Sequence, residues 1–234
     1  MSLFEEHKAT RRARILEAAR KLVVEHGYDG LTMRDLAAAA RVSVPTLYNL
    51  FGGKDAILVA ELERSARMIA TRIAGGGASF FARGMSAFEA SMDLIEESPD
   101  LHRTLMRVFL SSPETAPLRR RAEDGYVALM ASNLAAAKAA GELAEWAEPM
   151  IVARHMHAQY MACFMAWGIG DIDLATFRVA ALSGICHLLI GVTRGAFAAE
   201  VEARLRALSK ETASRLHNFE EARHAPRSRS RRHR

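Results

Sequence analysis

Apolar residues recur at helical spacing along nearly the whole chain, and short Gly, Pro and Ser breaks separate the helices they predict. The first stripe is Ile15, Ala18, Ala19, Leu22 and Val23, on a helix of residues 8 to 26. Met33, Leu36, Ala37 and Ala40 mark a second helix over residues 33 to 40. Thr32 is its N-cap, and Asp35 stands at the capping-box spacing. Ser43 is the next N-cap, and Pro45 falls in the first turn of a third helix, where its missing N–H costs little. Gly52-Gly53 stops that helix after about seven residues. Its inward residue is Leu47, extended by Leu50 or Phe51, which leaves Val44, Pro45, Thr46, Tyr48 and Asn49 largely outward. A helix this short is unstable alone and has to be held by its neighbours.

A helix from Lys54 to about Ala74 ends at Gly75-Gly76-Gly77, a termination signal that is also a possible hinge. Helices follow over residues 79 to 97 and 100 to 110, divided by Ser98-Pro99, then over 118 to 140 with Gly141 as the stop. Pro149 opens another, running to Trp167 and Gly168. After the caps of GDIDLATF, one helix is expected from Leu174 to Glu200 or beyond, and residues 200 to 217 form a polar amphipathic helix. The class is all-α: an N-terminal three-helix helix-turn-helix domain over 9–69, a larger helical domain over 70–217 and a basic tail over 218–234.

Composition supports this. Half of the 234 residues are apolar, enough for a sizeable core, and Pro is scarce. The net charge of +5 is concentrated at the end, where residues 223 to 234 hold six arginines and no acid, so the rest of the chain is at −1. That tail reads either as a nucleic-acid tether or as a solubility segment without function. The local pattern over residues 8 to 21 is more informative: Lys8, Arg11, Arg12, Arg14, Arg20 and Lys21 against Glu17 alone suit phosphate contact. Cys163 and Cys186 form neither a metal-ligand spacing nor a disulfide framework, and a reducing cytoplasm suits them. The charged N-terminus is no signal peptide, and the apolar run Val179 to Val192 is too short to span a membrane. There is no nucleophile elbow, phosphate-cradling loop or carboxylate pair, so no enzyme and no cofactor is expected. His155 and His157 stand about 200° apart on one helix and cannot share a metal, so no metal site is expected either.

On the third helix, Thr46, Tyr48 and Asn49 have the chemistry to reach phosphates and base edges, and Val44 and Pro45 offer apolar surface to a thymine methyl. The segment ILEAARKLVVEHGYDGLT from Ile15 to Thr32, followed by Leu36, Ala37, Val42, Ser43, Thr46, Leu47, Tyr48, Phe51, Lys54 and Leu58, resembles the DNA-binding domain of the tetracycline-repressor (TetR) family. The resemblance covers residues 9 to 62, with an all-helical layout beyond. Two positions depart from it: Arg41 stands where many members have Gly at the turn, and Leu50 where His or Tyr is frequent.

The resemblance implies DNA contacts from Thr32, Arg34, Arg41, Ser43, Val44, Pro45, Thr46, Tyr48, Asn49 and Lys54. It implies a homodimer on an inverted-repeat operator in double-stranded DNA, joined through helices 150 to 168 and 174 to 197, with Ala153, Ala162, Ala181, Gly184, Leu188 and Gly191 at the contact. It also implies a small, mostly apolar effector among Phe88, Met92, Met106, Phe109, Met130, His157, Tyr160, Met161 and Phe164, which releases a repressor by moving the helix that begins at Lys54. The rival classes are a non-sensing architectural DNA-binding protein, in which the tail would dominate, and a helical enzyme.

Overall fold

The computed structural model describes residues 3–73, 78–111 and 115–224. The triple glycine, Pro113 and the arginine-rich end from residue 225 lie outside the described residues. The helices are α1 (Leu3–Gly30), α2 (Met33–Ala39), α3 (Val44–Phe51), α4 (Lys54–Ile73), α5 (Phe80–Glu97), α6 (Pro99–Ser111), α7 (Ala116–Ala139), α8 (Pro149–Gly168), α9 (Leu174–Ile190) and α10 (Gly195–His224). Regular geometry in α1 ends at Gly27, whose φ of 69° lies in the left-handed region, so the expected end at residue 26 holds.

Two apolar clusters organise the chain. The first joins Ile15, Ala19 and Val23 of α1 to Leu36 of α2, Leu47 of α3 and Ile57 and Leu58 of α4. It also takes in Leu101 and Leu105 of α6, both almost fully buried. The second is built by α5, α7, α8, α9 and α10 around Met92, Met130, Trp167, Phe177 and Ile185. On the far side of α6, Met106 is buried and its thioether lies against Gly168 of α8. One short helix therefore packs against both bodies. The expected division at residues 69 and 70 does not capture this, because α6 returns to the N-terminal core from far along the sequence.

The long helix expected from Leu174 to Glu200 is two helices. α9 ends at Ile190 and α10 starts at Gly195, whose φ is 58°. Thr193 donates its hydroxyl to the Leu189 carbonyl at 2.9 Å. The segment after α7 holds the turn open: Ala144 N–H donates to Val192 O at 2.7 Å and Arg194 N–H to Glu142 O at 2.8 Å. The Glu142 carboxylate then accepts from Phe197 N–H at 2.8 Å, in the first turn of α10. Apolar spacing resumes in α10 with Phe197, Val201 and Leu208 buried, so the periodicity carries no sign of the break.

Truncating Leu105 to Ala should destabilise the N-terminal body, although the residue lies outside the helix-turn-helix sequence. Urea unfolding should show a loss of about 2–5 kcal/mol, as for a buried leucine. A loss below about 1 kcal/mol would mean that α6 is not part of that core.

Candidate nucleic-acid interface

The turn between α2 and α3 is built by local hydrogen bonds. Thr32 Oγ1 accepts from Asp35 N–H at 3.1 Å and donates to Asp35 Oδ2 at 2.6 Å, which closes the first turn of α2. At its other end Arg41 N–H donates to Ala38 O at 3.1 Å and Val42 N–H to Ala37 O at 3.0 Å, the paired bonds of a Schellman motif. That motif needs a left-handed residue, and Arg41 supplies it with φ 50°, at a cost of about 1 kcal/mol against glycine. Ser43 Oγ then accepts from Thr46 N–H at 3.2 Å and shares a 2.7 Å hydrogen bond with the Thr46 hydroxyl. Gly52, at φ 93°, ends α3 with its N–H on Tyr48 O at 2.8 Å.

Leu47 is fully buried beneath α3, so the opposite face is presented to solvent. Pro45, Tyr48 and Asn49 are exposed there, and Val44 and Thr46 are half-buried. Thr32, Arg34, Arg41 and Ser43 are exposed around this face. Lys54 is half-buried, its ammonium 3.9 Å from the centre of the Tyr28 ring, while the Tyr28 hydroxyl donates to Asp55. None of the ten residues expected to contact DNA is fully buried, although the Thr46 hydroxyl is engaged with Ser43.

Two residues of the basic stretch serve another purpose. Arg12 donates from Nη1 to the Leu50 carbonyl at 2.6 Å, and its guanidinium lies 4.2 Å over the Phe51 ring. It thereby satisfies an otherwise open carbonyl at the end of α3. Arg20 donates to Ser98 Oγ at 2.8 Å, tying α1 to the start of α6. Arg11 and Arg14 remain exposed. Nothing in a run of basic residues distinguishes Arg12 from its neighbours, because its partner is 38 positions away.

The expected effector residues divide. Phe88, Met92, Met106 and Met130 are buried, whereas Phe109, His157, Tyr160, Met161 and Phe164 are half-buried. Tyr160 is the centre of an aromatic group, with Phe88 at 6.2 Å edge-on, Phe164 at 5.9 Å and Phe177 at 5.6 Å. Its hydroxyl shares a 2.6 Å hydrogen bond with Ser91, and burial pushes its pKa up to about 12. Burial also lowers the pKa of His157, whose ring lies 5.3 Å from Tyr126. Beside Met130, against Phe80, Phe81 and Phe197, the void is about 10 Å³, compared with about 300 Å³ or more for a ligand pocket. A larger groove of about 460 Å³ lies between α5, α9 and α10, against Leu174, Val179, Leu182, Arg204 and Leu208. It includes none of the expected residues.

The expected contact between subunits is partly corrected. Ala153 and Ala181 are fully buried inside the protomer, and Gly184 makes room for the Gln159 side chain of α8. Their small size serves helix packing within one chain. Ala162, Leu188 and Gly191 are exposed, as are the larger apolar residues Met150, Ile151, Met165, Ile169 and Ile190. Among the described residues, no helix is long and apolar enough to cross a membrane.

Replacing Arg12 with Met should cost about 1 kcal/mol of stability through the lost charge-assisted hydrogen bond, which is discounted for partial exposure. Arg14→Met, at an exposed position, should stay within about 0.5 kcal/mol. Equal effects of the two in urea unfolding would contradict the capping role.

Residues 15–60 match the model of the bacterial regulatory proteins of the tetR family. The HTH-type transcriptional repressor Rv1474c of Mycobacterium tuberculosis is 31% identical over 101 residues, 43% of this chain and 54% of that protein. The chain thus spans about half the length of that relative. The HTH-type transcriptional repressor KstR of the same organism is 29% identical over 168 residues, 70% of this chain and 74% of KstR. Among solved structures, SmeT, the repressor of the Stenotrophomonas maltophilia multidrug efflux pump SmeDEF, superposes with a TM-score of 0.63 at 22% identity, covering 80% of this chain and 92% of SmeT. The complex of SmeT with triclosan gives a TM-score of 0.63 at 19% identity, covering 80% and 94%. The family match takes in the capped α2–α3 unit, and the similarity to the relatives is longer than that match, so residues 15–60 of this chain carry the N-terminal domain of the tetR family of bacterial regulatory proteins.

Proposed function

We propose that this regulator is a homodimeric repressor that binds an inverted-repeat operator and leaves it when a small, mostly apolar effector binds the helical body. The observation that carries the reading is the outward face of α3, which is capped at both ends and rests on buried Leu47. Tyr48, Asn49, Thr46, Pro45 and Val44 would read base edges, with Thr32, Arg34, Arg41, Ser43 and Lys54 on phosphates and exposed Arg11 and Arg14 beside them. A helix of 8 residues covers only a few base pairs. A two-fold pair, reading half-sites about one helical turn apart, supplies the missing specificity. The exposed apolar residues Ile151, Met165, Ile169 and Leu188 support association through α8 and the end of α9.

The relatives are named as repressors, and SmeT is seen in complex with triclosan. Both favour an effector-released repressor, and its place of action on this reading is the cytoplasm. The two working domains are residues 9–69 and 70–217, with α6 as the element common to both. Effector bound among α5, α7 and α8 would act on the reading heads through α6 and α4.

Selection from a random duplex pool at physiological salt should enrich an inverted repeat. Asn49→Ala and Tyr48→Phe should each reduce preference for that site over random DNA, within the range of about 1–3 kcal/mol for a lost base contact. Salt-sensitive binding to any duplex, without enrichment, would overturn the reading. Ile169→Glu should convert the dimer to monomer in light scattering and abolish operator binding; a dimer of unchanged stability would place the subunit contact elsewhere.

A further inference from the structure

The polar atoms buried in the helical body narrow the effector beyond a small, mostly apolar molecule. Trp167 is completely buried, yet its indole Nε1–H meets no acceptor. The Arg103 guanidinium stands 5.2 Å over the Trp167 ring, and Arg103 Nε is also buried without an acceptor. A buried donor left unpaired is destabilising, and here two of them, one cationic, belong to side chains in contact. Their complement is an anionic group with two acceptor oxygens, which a carboxylate provides.

The surrounding rings define what the anion is attached to. Trp167 is stacked with Phe164 at 5.8 Å and Phe177 at 5.9 Å, and Tyr160 follows at 5.9 Å from Phe164. His157, Tyr160, Phe164 and Trp167 form one stripe of α8 (spacings of three, four and three), about 15 Å long at the helical rise. At the far end His157 Nδ1 is a third buried polar atom without a partner, and burial lowers the pKa of this imidazole. Arg154, the cation near the His157 end, is paired with Glu123 at 3.5 Å, whereas the Arg103 guanidinium lies over Trp167, which sets the direction in which an acid would lie. Met106 lies against Gly168 beside Trp167, and its flexible thioether can turn away to admit a ring.

We propose that the effector is an aryl carboxylate, its flat ring body lying along Tyr160 and Phe164 and its carboxylate accepting from Trp167 Nε1 and Arg103 Nε. This rests on the reading that the helical body senses an effector. Arg103 and Met106 are carried by α6, which buries Leu101 and Leu105 in the core beneath α1 to α4. A ligand that engages Arg103 thus acts on a helix shared with the reading head.

The chain has two tryptophans, and Trp146 is 71% exposed, so the Trp146→Phe protein reports on Trp167 alone. Biphenyl-4-carboxylate should change its emission saturably and bind at least tenfold more tightly than 4-methylbiphenyl, which keeps the rings and lacks the anion. In calorimetry Arg103→Gln and Trp167→Phe should each weaken the acid about tenfold and leave 4-methylbiphenyl unchanged. Arg103→Lys, which keeps the charge and loses the guanidinium, should give an intermediate loss, and it serves if thermal melting shows Arg103→Gln unfolded. Failure of the acid to bind, equal affinity for the two biphenyls, or unchanged acid affinity after Arg103 replacement overturns the proposal. Operator release is measured separately. Release by 4-methylbiphenyl at equal affinity keeps an effector-sensing repressor and removes the carboxylate. Charge-selective binding without release keeps the carboxylate site and removes its regulatory role.

Discussion

An eight-residue helix has no stability of its own, and everything at the DNA end of this protein follows from how α3 is held. Its start is fixed by Ser43, its end by Gly52, its inner face by Leu47 and its last turn by Arg12 reaching across from α1. Each device stabilises α3 by roughly 1 kcal/mol or more, and together they orient the face that carries Tyr48 and Asn49. The left-handed Arg41 offsets part of this stabilisation, and it places a guanidinium on the same surface.

The reading head is not mechanically separate from the rest of the chain. Leu101 and Leu105 of α6 complete the core under α1, α2 and α4, while Met106 and Arg103 of the same helix meet Gly168 and Trp167 of α8. Arg20 adds a tie to Ser98 where α6 begins. Close packing on both sides leaves α6 little freedom to move without disturbing one body or the other. On the proposed function, this packing is the route by which events among the aromatic residues of the helical body would reach the DNA-facing surface.

Much of the DNA end was legible in the sequence because its determinants are local. Caps, turn residues and helical spacing act within four or five positions, so Thr32, Ser43, Pro45 and Gly52 could be placed by inspection, and Leu47 could be assigned inward. The helical body was less legible. Ala153, Ala181 and Gly184 were expected at the contact between subunits and instead pack within the protomer, because whether the neighbour belongs to the same chain is not written in a small side chain. Gly191, Thr193 and Gly195 were the signal for the break before α10, masked by apolar spacing that runs through it.

The sequence by itself determined the helices, their caps, the polar outward face of α3 and the family resemblance, since these depend on neighbours in the chain and on periodicity. Tertiary structure alone decided that α6 serves two cores, that Arg12 closes α3 and that the Arg103 guanidinium meets the Trp167 ring with a buried, unpaired donor on each. Those outcomes depend on groups tens of residues apart, and helical periodicity specifies which face is buried without specifying what it is buried against.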